Sequence, residues 1–140
     1  MNNKGFTLME LLVTFAIVAT LAAVAVPAYS KYRIRGKVAT MVAAGSAAEM
    51  TVVNDYFNQG YNLSTINYAN NSQPFVTPSS VFISSIAISA GVITVTGNTS
   101  ELGGRAINIT LTPTVVNNDF TWVCSTSSTY FEYAPDECRH

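Results

Sequence analysis

One long, mostly hydrophobic run lies near the start of the chain. Residues 11–30 contain no charged side chain and consist mainly of Leu, Val, Ala, Ile and Phe. At about 1.5 Å per residue, a helical run of this length spans about 30 Å, the thickness of the hydrocarbon core of a bilayer. The run therefore predicts a helix that can cross a membrane.

A removable secretory signal peptide is an alternative interpretation of this run. Ala22, Ala23 and Ala25 could provide the small residues of a cleavage site. However, the basic region before the run is the single Lys4, and the helical pattern continues past Ala25. A helix that stays with the chain is therefore favoured.

The next segment, residues 31–58, has the pattern of an amphipathic helix. Apolar side chains recur at spacings of three and four residues, which places them on one face. They are Val38, Met41, Val42, Gly45, Ala48, Val52 and Tyr56. We therefore expect one long helix over residues 6–58. Pro27 lies inside it and should kink or loosen it, at a cost of about 3 kcal/mol, because proline lacks the backbone N–H.

After Asn58 the sequence changes to loop and strand patterns. Residues 59–80 are rich in Asn, Ser and Tyr, include Pro74 and Pro78, and predict a loop. Four β-type runs follow, at Val81–Ile88, Val92–Thr96, Ala106–Leu111 and Phe120–Cys124. Their connections are predicted at Ser89–Gly91, at Gly97–Arg105, and through Pro113 with Asn117–Asp119.

These elements predict an α+β fold. The four runs are expected to form an antiparallel meander, and the second half of the long helix is expected to cover its apolar face. At 140 residues, the chain has room for one such domain and at most one membrane segment.

The charge distribution limits the function classes. Only 11% of the residues are charged and the net charge is −1, so a general polyanion partner is not expected. Basic side chains cluster after the hydrophobic run, at Lys31, Arg33, Arg35 and Lys37. They could contact lipid headgroups, pair with acids of neighbouring subunits, or remain solvated. On the globular part, basic residues are nearly limited to Arg105 and Arg139, which gives little support for direct DNA binding.

No residue pattern indicates catalysis, a cofactor or a metal. The single histidine, His140, is the last residue, and there is no P-loop and no Cys/His cluster with metal-ligand spacing. A calcium site is an alternative that requires several carboxylates to gather near the C-terminus. The candidates are Asp119, Glu132, Asp136 and Glu137, for which solvated surface acids are the commoner interpretation.

Glu10 is the only charge between Lys4 and Lys31. A charged residue within a membrane helix costs about 2.5–3.5 kcal/mol at the bilayer centre. Glu10 could lie near the interface and reach water, or it could require a positive partner. If the chain were cut between Gly5 and Phe6, the new α-amino group would lie four residues before Glu10 on the same helix face. A neighbouring copy could offer the same amine, so the charge pair would form on assembly.

The segment GFTLMELLV resembles the prepilin signature of type IVa pilins, and Pro27-Ala28-Tyr29 matches a further feature of that family. The resemblance covers about residues 1–38. It implies that a prepilin peptidase cuts after Gly5 and N-methylates Phe6, and that Glu10 is the family's characteristic acid. One departure is Ala19, where many members carry glycine.

The two cysteines, Cys124 and Cys138, could close a small loop in an oxidising compartment or remain free thiols. The pattern FTWVC…YAPDECRH also resembles type IVa pilins, whose C-terminal region is bounded by a disulfide. This second match favours a pilin over a type II secretion pseudopilin.

The implied segments are a leader (1–5), a membrane and assembly helix (6–30), its amphipathic continuation (31–58), a loop (59–80), a sheet (81–124) and a disulfide-bounded region (125–140).

The resemblance implies a non-enzymatic major subunit of a type IV pilus. Its partners would be copies of itself, the prepilin peptidase, the pilus assembly platform with its motor ATPases, the inner membrane before assembly, and a host-cell or surface receptor. The domain would lie in the periplasm and later on the cell surface, although the positive-inside rule alone would place it in the cytoplasm. The filaments would serve adhesion, twitching motility, DNA uptake or biofilm formation. A minor pilin or pseudopilin, and a membrane-anchored periplasmic binding domain, are the alternatives.

Overall fold

The computed structural model describes residues 5–69 and 80–140. A long helix, α1, spans Leu8–Asn58, and four strands follow: β1 (Ile83–Ser89), β2 (Val92–Gly97), β3 (Asn108–Val116) and β4 (Asp119–Ser125). The chain divides into two compact units, Met1–Arg33 and Ile34–His140. The predicted α+β fold, with one long helix and a four-stranded antiparallel sheet, is confirmed.

In the first unit, the apolar side chains of α1 are exposed. Leu8 is 80% exposed and Val26 67%, and the large apolar side chains exposed between them range from 48% to 73%. α1 begins two residues later than the predicted residue 6, and its helical structure continues through Pro27. Within the described residues, α1 is long and apolar enough to cross a membrane.

In the second unit, α1 buries one face against the sheet. The buried positions on the helix are Ile34, Val38, Met41, Ala44, Gly45, Ala48, Val52 and Asp55. The predicted stripe is therefore largely correct, but Val42 and Tyr56 are only half-buried. The core is completed by inward-facing residues of the strands, mainly Ile86, Ile88, Ile93, Val95, Ile109 and Leu111.

The sheet is the predicted meander, in the order β1-β2-β3-β4. Its strand bounds differ from the prediction by one or two residues at most ends, with one larger difference. Pro113 was assigned to the β3–β4 connection, but it lies within β3, opposite Trp122. The last β2–β3 pair is Ile93 with Leu111, so β3 has passed the end of β2 at Pro113. β3 is an edge strand at that point, where the missing N–H is tolerated.

The tight β3–β4 turn replaces the longer predicted connection. Asn117 and Asn118 both have positive φ values, 52° and 63°, as the mirror-image hairpin turn requires. Asparagine tolerates this region better than most residues. The predicted hairpin turn at Ser89–Gly91 is also present, with positive φ at Ala90 and Gly91.

The predicted loop 59–80 is only partly described. Its described part contains a 3₁₀ turn, Leu63–Thr65, and an antiparallel bridge between Tyr68 and Ile88. Pro74 and Pro78 lie outside the described residues.

Gly45 lies where α1 packs tightly against side chains of the sheet. A Cβ atom at this position would lie 2.6 Å from Leu111 Cδ1 and 3.2 Å from Val95 Cγ2. Gly45→Val is therefore expected to lower the free energy of unfolding by about 1–3 kcal/mol, because the buried side chains of Leu111 and Val95 must shift. The loss should appear in denaturant unfolding of the full chain in detergent.

Gly36 provides the matched control, since it lies in the same helix and a Cβ there meets nothing within 4 Å. Gly36→Val should be neutral or slightly stabilising, because valine is a better helix residue than glycine. Equal losses for the two variants would contradict a packing role for Gly45.

Candidate functional site

Glu10 helps to cap the N-terminus of α1. Its Oε2 accepts hydrogen bonds from the Thr7 backbone N–H at 3.0 Å and the Thr7 hydroxyl at 2.9 Å. The Glu10 backbone N–H in turn donates to Thr7 Oγ1 at 3.3 Å. This reciprocal arrangement is a capping box, which satisfies donors that a helix start leaves unpaired. The sequence analysis missed it, although the pattern Thr-x-x-Glu was visible.

The surroundings of Glu10 are apolar and uncovered. Glu10 itself is exposed, and the side chains beside it are Phe6, Met9, Val13 and Thr14. Among the described residues, the Glu10 carboxylate accepts hydrogen bonds from Thr7, and a carboxylate on a hydrophobic surface has acceptor capacity for a further donor.

The Gly5–Phe6 bond lies just before α1. A Cβ atom at Gly5 would meet nothing within 4 Å, and Phe6 is 84% exposed. Both residues precede the first helical residue, Leu8. The bond is therefore in exposed, non-helical chain, which is the kind of segment a peptidase can bind.

Two residues of the basic cluster bind loops of their own chain. Lys37 Nζ lies 3.3 Å from Glu101 Oε2 and donates to the Glu101 carbonyl oxygen at 2.5 Å. Arg35 Nε donates to the Glu132 carbonyl oxygen at 2.6 Å. These bonds attach α1 to the β2–β3 loop and to the C-terminal region. None of the three sequence-based interpretations of the cluster included this role.

The disulfide between Cys124 and Cys138 is present, with a Cα–Cα distance of 4.5 Å. It joins β4 to a 3₁₀ turn, Asp136–Cys138. Cys138 is fully buried and Cys124 is 9% exposed. The bridge therefore belongs to the core and closes the C-terminal region.

The suggested calcium ligands do not gather. Among residues 5–69 and 80–140, there is no group of three or more His, Cys, Asp or Glu side chains that could hold a metal ion. Asp136 instead pairs with Arg139, whose Nη1 lies 2.5 Å from the carboxylate.

Asp55 is a structural residue that the sequence analysis missed. It is 1% exposed, and both carboxylate oxygens have donors: Tyr68 Oη at 2.5 Å and Gln59 Nε2 at 2.7 Å. Since Tyr68 also bridges to Ile88 of β1, Asp55 connects the end of α1 to the edge of the sheet. Its position was readable from the pattern, because Asp55 lies three residues after Val52 on the buried stripe.

Replacing Tyr68 by phenylalanine tests this connection. The hydrogen bond to Asp55 raises the pKa of Tyr68 to about 12. The pKa of Tyr68 is therefore higher in the folded than in the unfolded chain. The hydrogen bond then contributes fully to the free energy of unfolding below about pH 10, and this contribution is lost as the pH rises to about 12. Tyr68→Phe should therefore lower the free energy of unfolding by about 1–2 kcal/mol at neutral pH.

The difference between the wild type and Tyr68→Phe should also shrink between about pH 10 and pH 12. Unfolding of the full chain in detergent, followed across this range, measures both effects. The exposed Tyr32 gives a control, Tyr32→Phe, which should behave like the wild type. A pH-independent difference for Tyr68→Phe would contradict the role of the Asp55 hydrogen bond.

The fold and these sites together define a class of protein: a disulfide-closed α+β domain whose first helix begins in an exposed, membrane-compatible segment. Residues 1–26 match the prokaryotic N-terminal methylation motif, and residues 33–139 match the family of pilins, which form bacterial filaments. The chain therefore belongs to the type IV pilin family. Proteins of this family are structural and in general not enzymes.

The similar proteins are fimbrial and pilin subunits. Fimbrial protein EcpC of Eikenella corrodens is 30% identical over 146 residues, covering 99% of this chain and 92% of that protein. The type IV major pilin protein PilE of Neisseria gonorrhoeae is 33% identical over 114 residues, covering 76% of this chain and 66% of PilE. Prepilin peptidase-dependent protein D of Escherichia coli K12 is 29% identical over 116 residues, covering 80% of this chain and 73% of that protein.

Family membership implies assembly into a filament, and the methylation motif implies processing by a prepilin peptidase. The N-terminal apolar helix fits membrane anchoring and surface pili.

Proposed function

We propose that this chain is the major structural subunit of a type IV pilus. The observation that carries the proposal is the combination, in one chain, of the methylation motif with a continuous exposed apolar surface on the first half of α1. Such a surface is unstable in water and requires lipid or other copies of the same helix as its surroundings. The major-pilin relatives support the same role.

The proposed life cycle begins with a precursor in the inner membrane. Residues 1–5 are the leader, residues 6–30 span the bilayer, and residues 31–140 form the periplasmic domain in which the disulfide is made. A prepilin peptidase cuts between Gly5 and Phe6 and methylates the new amino group of Phe6. The assembly platform and its motor ATPases then extract the subunit, so the mechanical work comes from other proteins.

Glu10 is proposed to guide assembly. Removal of the leader leaves Phe6 with a free α-amino group. In the filament, the α-amino group of a neighbouring copy donates a hydrogen bond to the Glu10 carboxylate and forms a charge pair with it. Such a charge pair is strong in apolar surroundings. An unpaired charged carboxylate there raises the free energy of the subunit, so pairing favours assembly. Pro27, which removes one helical hydrogen bond, would let the helix adjust locally as it leaves the lipid.

The proposed uses of the filament are adhesion, twitching motility, DNA uptake and biofilm formation. A receptor on a host cell or another surface is part of this proposal. Direct DNA binding by this chain has little electrostatic support, because few basic residues of the globular unit are uncommitted.

The test is the intact mass of this chain in filaments sheared from its native host, measured before and after reduction. The expected dominant species begins at methylated Phe6 and is two hydrogens lighter before reduction. Abundance in the sheared fraction supports a major subunit, whereas scarcity there would indicate a minor pilin or pseudopilin. A chain that remains in membranes with its leader would contradict the filament proposal and favour an anchored binding domain.

A further inference from the structure

Four aromatic side chains form a partly exposed cluster at the end of α1. Tyr56 and Phe57 come from the last turns of the helix, and Phe120 and Trp122 come from β4. The ring centroids of Phe57 and Phe120 lie 5.6 Å apart, those of Tyr56 and Phe120 5.3 Å, and those of Phe120 and Trp122 6.0 Å. These four residues are called the aromatic platform below.

The platform is more exposed than a core cluster. Phe57 is 45% exposed, and the other three rings are half-buried. Phe120 and Trp122 lie on the same side of β4 and stack on each other, with an angle of 25° between their planes. Tyr56 and Phe57 meet Phe120 edge-on, at 83° and 65°. The Trp122 indole N–H makes no hydrogen bond to another described residue. The platform therefore offers aromatic surface together with an unused donor.

Neutral amide side chains lie next to the platform residues in the sequence, both on α1 and just before β4. On α1, Asn54 and Asn58 lie one turn apart beside Phe57, and Asn58 Nδ2 donates to Asn54 Oδ1 at 2.5 Å. On β4, the turn residues Asn117 and Asn118 precede Phe120. Amides both donate and accept hydrogen bonds, so they suit a ligand that carries many hydroxyl groups.

The charges of the globular unit argue against an anionic ligand at the platform. The basic side chains of the described part of this unit bind elsewhere: Arg35 to the Glu132 carbonyl, Lys37 to Glu101, Arg105 over the Tyr133 ring and Arg139 to Asp136. The charged residue next to the platform is an acid, Asp119. Nucleic acids, acidic polysaccharides and anionic headgroups would therefore find no cation there.

The size of the platform argues against a second protein. A stable protein interface buries about 800 Å² on each partner and involves about 20–30 residues a side. Four rings, three of them half-buried, provide a small fraction of that area. They match one or two sugar rings, whose apolar C–H faces stack on aromatic side chains while their hydroxyls reach the surrounding amides.

We propose that the aromatic platform binds a neutral glycan chain. In the filament, many copies of this weak site would bind one glycan surface at the same time, so the filament would bind tightly although each site binds weakly. This use rests on the proposed function, because it needs the chain to be displayed in a polymer. Binding by the isolated chain does not need the polymer.

Trp122 is the single tryptophan of the chain, so its fluorescence reports on the proposed site directly. The purified full-length chain, in a detergent without a sugar headgroup, is titrated with cellohexaose and with N-acetylated chitohexaose. A polygalacturonate oligomer of similar length serves as the acidic probe. The expected result is a saturable change in emission with a neutral probe, at both low and high salt, because no ion pair contributes.

Phe57→Ser should weaken that binding about tenfold or more, the loss typical of truncating a central aromatic contact. The matched control is Val123→Ser, which replaces a residue that is 49% exposed on the same strand. Val123 alternates with Trp122 and lies on the other face of the sheet, so binding should be unchanged.

Four results would overturn the proposal. They are the absence of a saturable response to either neutral probe, a salt-sensitive response to the acidic probe alone, equal losses in the two serine variants, and an emission that changes with protein concentration instead of glycan. The last result would indicate that a second copy covers the platform. Glycan binding without filaments would contradict the proposed function alone, and filaments without glycan binding would contradict this inference alone.

Discussion

Glu10→Gln is expected to abolish filaments while leaving cleavage after Gly5 intact. Glutamine can keep the capping box with Thr7, since it also accepts a hydrogen bond from a backbone N–H. It cannot form a charge pair with the amine of a neighbouring Phe6. The variant therefore removes the charge and keeps the helix start. The measurement is the amount of this chain in sheared filaments, together with its intact mass in the membrane fraction.

Two further variants separate the two roles of Glu10. Glu10→Ala loses both the cap and the charge, and it should also be processed but not assembled. Thr7→Val removes the hydroxyl from the capping box and keeps the carboxylate, so it should still form filaments. Normal piliation in Glu10→Gln with loss in Glu10→Ala would show that Glu10 acts only through the helix cap, and the charge-pair proposal would then be wrong.

Removing the disulfide is expected to cost the domain about 3 kcal/mol of unfolding free energy in the loop-entropy treatment. The double variant Cys124→Ala with Cys138→Ala leaves the C-terminal region packed against the domain by noncovalent contacts alone. They include the bond from Arg35 to the Glu132 carbonyl and the Arg105 guanidinium over the Tyr133 ring. Denaturant unfolding of the full chain in detergent, followed by Trp122 fluorescence, measures the loss.

The reduced wild type is the internal control for this prediction. Its unfolding midpoint should move towards that of the double variant, because both lack the same bridge. Limited proteolysis should cut first between residues 125 and 137 in the double variant, since that segment loses its covalent closure. A reduced wild type as stable as the oxidised protein would contradict a stabilising role for the bridge.

Much of the fold was predictable because its signals are local. A run without charge, a stripe at spacings of three and four, and alternating β-type runs each depend only on neighbouring residues. The same holds for the assembly motif, whose residues lie within one short segment from Gly5 to Glu10. The disulfide was also predicted, but from resemblance to pilins, because two cysteines alone left free thiols open.

Most errors and omissions came from contacts between segments distant in sequence, whereas the missed Thr7–Glu10 capping box is a local pattern. Pro113 was assigned to a turn because proline usually interrupts strands, and only the end of β2 made a strand position acceptable there. Lys37 was grouped with other basic residues by sequence, but its partner Glu101 lies in the β2–β3 loop. Asp55 was not considered in the sequence analysis, and its burial is tolerable because Tyr68 and Gln59 donate hydrogen bonds to it.

The sequence by itself determined that this chain has a membrane-compatible first helix with a processing motif, followed by an α+β domain of the pilin family. These properties follow from local periodicity and from a compact motif. Only the tertiary structure decided which strand residues meet the predicted face of α1, such as Leu111 and Val95 at Gly45, and which side chains meet at the aromatic platform. Both depend on how α1 packs against strands more than forty residues away in sequence, and local patterns carry no information on that packing.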